Sequence, residues 1–134
     1  MVIDKVTQAC VAIEKEGTRT FSKFKGKGSK FIFAGTYIWI TDLNGKVLMH
    51  PIRPNMENQI ITELKDDNGK QFIVDVISIA KSRGEGWVDY SLKKPNTEQL
   101  FTKLIYIKKS VCNGIPVIVA CSVDDITETQ TSYA

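Results

Sequence analysis

The run from Gly35 to Pro51 constrains the fold of this chain more than any other stretch. Tyr37, Trp39 and Thr41 alternate with Ile38, Ile40 and Leu43 at or near period two, and Asp42-Leu43-Asn44-Gly45 carries a turn signal between two β-rich runs. The stretch therefore reads as a β-hairpin. Its second arm, Lys46 to Met49, stops at His50-Pro51, because proline cannot donate to a sheet ladder and pushes the residue before it into an extended conformation. This places His50, the only histidine, at a strand end facing what lies beyond the sheet.

On either side of the hairpin the period changes. Ile3, Val6, Cys10 and Ile13 recur at three- and four-residue steps, predicting a helix over roughly residues 2–16 with one apolar stripe. Its spacing suits packing on the sheet and also a short seam with a second copy. Gly17 is a plausible stop; Phe21 and Phe24 extend the same spacing, so a helix reaching Lys25 before Gly26-Lys27-Gly28-Ser29 is the alternative. After the hairpin, Ile52 to Gln59 is irregular and reads as a long loop, of the kind that often carries function. Asp66-Asp67-Asn68-Gly69 turns, and Phe72, Val76, Ile79 and Ala80 predict a second amphipathic helix ending at Lys81-Ser82-Arg83-Gly84. Trp87–Leu92, Phe101–Lys109 and Val117–Val123 read as strands, separated by turns at Lys93-Lys94-Pro95-Asn96 and Asn113-Gly114-Ile115-Pro116. The order α–β–β–loop–α–β–β–β is an α+β layout with an antiparallel sheet.

Composition narrows the function classes. A chain of 134 residues that is 43% hydrophobic is one domain with one proper core. Its net charge of +3 is too mild for a dedicated nucleic-acid binder, although Arg19, Lys23, Lys25, Lys27 and Lys30 lie between Glu16 and Asp42 with no acid among them. That run reads first as a solvated loop and second as an anion or membrane-surface patch. No apolar run reaches the roughly 18 residues that span a bilayer, and no signal-peptide layout opens the chain, so it reads as soluble as it stands. Cys10, Cys112 and Cys121 have no zinc or redox spacing and read as small buried hydrophobes, with one disulfide open to a protein outside the cytoplasm.

Catalytic chemistry finds little footing. No nucleophile motif accompanies His50, no glycine-rich loop precedes a helix, and the two Asp-rich turns lack the twelve-residue pattern of a calcium loop. The residues thus point to no catalytic group, no metal and no cofactor. What the strands do carry is a set of polar-tipped aromatics, Tyr37, Trp39, Trp87, Tyr90 and Tyr106, with Lys103 among them. Such side chains line sites that hold a small polar molecule without reacting with it. Aromatics on strands are nevertheless core more often than ligand, and a strand lysine is more often solvated on an edge. On a regular strand Lys103 and Tyr106 point to opposite faces, so a site shared by both needs a bulge or a strand end.

Taken in order, Tyr37-x-Trp39, Asp42-x-x-Gly45, His50-Pro51, Asp67-x-Gly69-Lys70-x-Phe72, Gly84-x-Gly86-Trp87-Val88-x-Tyr90, Pro95 and Lys103-x-x-Tyr106-x-x-Lys109 resemble the single Cache family of bacterial sensor domains. The resemblance implies a PAS-like, profilin-like α+β fold: a central antiparallel sheet of five to six strands, a long N-terminal helix and one further amphipathic helix. Residues 1–30 would hold that helix and a basic linker, 31–125 the sensor core and 126–134 a polar tail. It implies a periplasmic or extracellular location, service as the sensing part of a chemoreceptor or sensor kinase, and a small carboxylate ligand such as acetate, propionate, pyruvate or lactate. Carried onto this chain, the ligand-binding candidates are Tyr37, Trp39, His50, Trp87, Tyr90, Lys103 and Tyr106. Lys103 would supply charge, the tyrosine hydroxyls and a His50 N–H would donate to carboxylate oxygens, and the Trp rings would cover the alkyl part.

The chain departs from the family pattern at Asn58-Gln59-Ile60-Ile61, where the loop closing the pocket is altered, and at Cys121, near a position commonly glycine. Its polar ending suits either an excised sensor domain or a free-standing exported Cache protein. The leading expectation is a non-enzymatic domain that binds a small organic acid and reports its occupancy to a partner, with a homodimer contact through the first helix. A ligand-free scaffold or interaction module is the alternative, and a hydrolase using His50 ranks below both.

Overall fold

In a computed structural model the structure describes residues 1–124; the predicted polar tail 126–134 lies outside the described residues. Helix α1 runs Val2–Glu16, and a 3-10 helix follows over Gly17–Phe24. Strands β1 (Ile32–Phe33), β2 (Thr36–Asp42) and β3 (Val47–Met49) come next, then helix α2 (Phe72–Arg83) and strands β4 (Glu85–Lys93), β5 (Leu100–Cys112) and β6 (Ile115–Asp124). They form one antiparallel sheet of six strands in the order β1-β2-β6-β5-β4, with β3 also pairing β2. The sequence reading had five of these strands; β1, two residues long, is too short to carry a period.

Parity along each strand decides which layer a side chain joins. Ile38, Ile40, Val117, Val119, Cys121 and Tyr106 pack with Val6, Ala9, Cys10 and Ile13 of α1. Their neighbours Trp39, Ile118, Ala120, Ile105 and Ile107 pack with Phe72, Ile73, Val76, Ile77 and Ala80 of α2. A helix therefore covers each face of the sheet. The α1 stripe differs in one member from its prediction: Ile3 is 47% exposed and Ala9 takes its place in the core.

Gly17 does end the α-helix, with φ 63°, yet the chain continues as a 3-10 turn to Phe24, so each expectation for this region held in part. Phe24 is fully buried and stacks on Phe31 with ring centroids 4.3 Å apart. The hairpin turn is closed by Asp42, whose Oδ1 accepts the N–H groups of Asn44 and Lys46 at 2.8 and 2.9 Å. Gly45 sits there at φ 84°, and a Cβ on it would meet the Thr62 side chain at 2.5 Å. The irregular stretch after His50 is pinned against this hairpin: Val47 N–H donates to Gln59 O at 2.9 Å and Ile61 N–H to Gly45 O at 3.0 Å.

All three cysteines are free and buried, and burial pushes the Cys10 and Cys121 thiols up to about 11. They behave as packing residues. Asp66 ties the turn before α2 to β4: its Oδ1 accepts the N–H of Asn68 and Lys70 at 2.9 and 2.8 Å, and its Oδ2 accepts Ser91 N–H at 2.7 Å. Burial alone raises the pKa of this carboxyl, but the three donors outweigh it and hold it below the usual 3.8. Asp66→Ala is expected to cost about 2 kcal/mol in urea denaturation at neutral pH, since it orphans those donors. A depressed carboxyl stabilises above its unfolded pKa, and that contribution is lost as pH falls through the lower folded value. The gap between wild type and variant should accordingly narrow in acid.

Candidate functional site

The face that α2 covers also gathers polar side chains at the strand ends beyond the helix. Tyr37 and Trp39 share one side of β2, and Tyr90 of β4 stands directly across from Lys103 of β5. Val88 pairs with Ile105, both in the α2 layer, so Tyr90 and Lys103, two residues along on each strand, point the same way. Phe72, the first residue of α2, stacks on Tyr90 with centroids 4.6 Å apart and planes at 13°. The Tyr90 hydroxyl reaches Ser122 Oγ on β6 at 3.4 Å. Trp39 is buried among the α2 residues and forms the floor of the cluster.

His50 enters from the end of β3, as the proline after it predicts. Its ring lies 5.1 Å from that of Tyr37, tilted by 57°. The imidazole is held on one side: Nδ1 accepts Arg53 N–H at 2.9 Å and Ile52 N–H at 3.3 Å. Burial first, and then the Arg53 cation, push its pKa below the ordinary 6.5 and outweigh the pull of Glu57. A neutral ring whose Nδ1 accepts must carry its proton on Nε2, which makes His50 a fixed N–H donor.

Tyr37 reports the charge around it. Burial raises its pKa, while the Arg53 and Lys103 cations act in the opposite direction. The Arg53 and Lys103 cations that act on Tyr37, the His50 N–H and two phenol hydroxyls thus lie toward one end of the sheet, groups of the kind that hold an anion. Among the described residues no group of three or more His, Cys, Asp or Glu is placed to hold a metal ion. Neither ring nitrogen of His50 is hydrogen-bonded to a serine or a cysteine there, so the hydrolase reading has no nucleophile beside its base.

Five of the seven residues singled out in the sequence, Tyr37, Trp39, His50, Tyr90 and Lys103, fall on this face. Trp87 and Tyr106 do not. β5 is regular against both neighbours, with no shift of register, so Tyr106 takes the parity opposite to Lys103 and packs in the α1 layer. Trp87 pairs with it across the strands, rings 5.2 Å apart. Trp87 is 41% exposed and lines a depression of about 250 Å³ at the open edge of β4 with Lys70, Asp75, Ser78, Ile79, Val88 and Asp89. Lys70 already pairs there with Asp89 at 2.8 Å and Asp75 at 3.5 Å. The bulge needed to bring Tyr106 to Lys103 is absent.

Among the described residues the buried Tyr106 hydroxyl has no partner at hydrogen-bond geometry, and burial first, then the nearby Glu85 carboxylate, push its pKa up to about 12. Tyr106→Phe is expected to leave ligand affinity unchanged in calorimetry and stability unchanged or raised in thermal melts, because an orphan hydroxyl is removed. Sequence reasoning missed Arg53, Phe72 and Ser122. Arg53 follows His-Pro inside the loop marked as functional and was the legible one of the three; Phe72 and Ser122 join through packing and register.

A six-stranded antiparallel sheet with a helix on each face is a PAS-like α+β fold. Within that class this chain belongs to the single Cache domain 2 family, which matches residues 12–134. Domains of this family bind ligands in chemoreceptors and are not enzymes. The methyl-accepting chemotaxis protein McpP of Pseudomonas putida is 31% identical over 72 residues, 54% of this chain and 13% of that receptor. The chain thus spans about an eighth of the length of the curated relative it matches. Two solved structures share the fold. One, described as a periplasmic sensor domain of a chemotaxis protein, has 20% identity and a TM-score of 0.63, covering 88% of this chain and 89% of the other. The second, concerned with carboxylic acid recognition by a Cache chemosensory domain, has 24% identity and a TM-score of 0.65, covering 90% and 84%.

Proposed function

We propose that this domain senses a small organic acid of the acetate, propionate, pyruvate or lactate type, held by Lys103, Tyr37, Tyr90 and the Nε2–H of His50, with Arg53 as a second cation. The observation that carries the reading is His50, its Nδ1 occupied by two backbone N–H groups so that Nε2 is left to donate, set against Tyr37, on which the Arg53 and Lys103 cations both act. Trp39 and Phe72 supply the apolar surface against which a short alkyl group packs. A structural relative concerned with carboxylic acid recognition supports the same ligand class.

The domain works outside the cytoplasmic membrane as the sensing part of a longer receptor. α1 is the element through which a second copy is met, with Ile3 and Val11 exposed at 47% each on its outer side. Occupancy alters the output only so far as the acid favours one of two arrangements of that contact. Calorimetry of the purified domain against acetate, propionate, pyruvate and lactate tests the proposal. Saturable one-to-one binding of at least one of them is the expected result; no heat and no thermal stabilisation with any of the four at millimolar concentration overturns it.

A further inference from the structure

The loop that carries His50 and Arg53 is closed at its ends by backbone pairs of Val47 with Asn58 and Gln59, and is tied inside by one carboxylate. Glu57 Oε2 accepts the backbone N–H of His50 at 2.9 Å, and the same oxygen receives Lys25 Nζ at 2.7 Å. Lys25 is the C-cap of the 3-10 helix that follows α1, so the ion pair joins that segment to the loop across 32 residues of sequence. Within the loop, the Pro54–Met56 turn brings Glu57 back toward His50, and the two N–H groups on His50 Nδ1 come from Ile52 and Arg53, inside the ring that Glu57 closes.

From this connectivity we infer that Glu57, clamped by Lys25, is a positioning residue that sets the His50 tautomer and through it the affinity of the site. Without the His50 N–H to Glu57 link, the loop keeps the backbone pairs of Val47 with Asn58 and Gln59 at its ends but loses the tie at His50, and the two donors on Nδ1 are held less firmly. The imidazole proton then distributes between its nitrogens, and the Nε2–H donor is present only part of the time. Lys25 acts one step further out. It orients the carboxylate, and its removal leaves Glu57 with the His50 N–H alone to hold it. Of the five basic residues in the run before the hairpin, Lys25 is the one that the structure links to this loop.

The tautomer part stands without any ligand; the affinity part rests on the small-acid reading. Imidazole nitrogen NMR of the domain without added acid should show His50 Nδ1 as unprotonated acceptor and Nε2 as protonated. Glu57→Ala should move both nitrogen signals toward averaged values while the melting temperature and the amide spectrum of the sheet stay those of a folded domain. Lys25→Met should do the same to a smaller extent, and Lys25→Arg should restore the wild-type signals. In propionate titrations Lys25→Met is expected to weaken binding about fivefold, the scale of a partly exposed ion pair, with Lys25→Arg near wild type. A wild-type His50 protonated on Nδ1, or an unchanged His50 tautomer in folded Glu57→Ala, overturns the inference. Failure of every acid to bind, with the NMR result as expected, strikes the small-acid reading instead.

Discussion

Lys103→Ala is expected to weaken binding of the preferred small acid by about tenfold to a hundredfold while leaving the fold intact. A hydrogen bond to a charged group contributes about 1.5–3 kcal/mol, and each 1.4 kcal/mol is a factor of ten in affinity. Lys103 sits across from Tyr90 near the start of β5, and its side chain is on the face that Tyr37 and His50 share. Arg53 is the competing cation. If it alone carried the carboxylate, Lys103→Ala would bind as wild type and Arg53→Ala would not. Calorimetry on the two variants separates these outcomes. The combination with Tyr106→Phe makes the reading sharper, because Tyr106 is as near to Lys103 in sequence as many true partners yet faces the other layer.

The second large effect is structural. Phe24→Ala should cost about 3–5 kcal/mol in chemical denaturation, the range for removing a fully buried aromatic ring. The Phe24 ring is stacked on Phe31 beneath α1, where it joins the end of the 3-10 helix to the start of the sheet. The same substitution should disturb the segment that presents Lys25, one residue on, to Glu57. Affinity loss in Phe24→Ala is therefore expected to accompany the loss of stability, whereas Lys103→Ala should show affinity loss alone.

Much of the fold was legible because it rests on short-range periods. The switch from three- and four-residue spacing to period two marked α1, α2 and the strands, and the turn chemistry at Asp42–Gly45 and Gly84 marked where they stop. Gly84 ends α2 in the left-handed region at φ 80°, its N–H donating back to Ala80 O and Ile79 O. The helical alternative through Phe24 could not be decided from spacing, since 3-10 and α turns place Phe21 and Phe24 on nearly the same side. The disputed stretch is 3-10, begun by the φ 63° of Gly17 and held by Asn113 Oδ1, which accepts Thr18 N–H at 2.9 Å from 95 residues away.

The candidate site was half legible for a related reason. Parity alone already separated Lys103 from Tyr106, and the structure upholds that rule against the family-based grouping of the two. Parity on one strand says nothing of parity on the next, however. Whether Tyr37 shares a face with Lys103 depends on the registers of β2 with β6 and of β6 with β5, in which Ile38 meets Cys121 and Tyr106 meets Cys121 from the other side. Sequence by itself determined that each strand has two unlike faces, that two helices are available to cover them, and that His50 ends a strand. Only the tertiary structure decided which faces are shared, that Arg53 comes round beside Tyr37, and that Glu57 and Lys25 close the loop between them. The physical reason is range: periodicity and turn chemistry act over a few residues, whereas register and loop closure are settled by contacts between residues far apart in the chain.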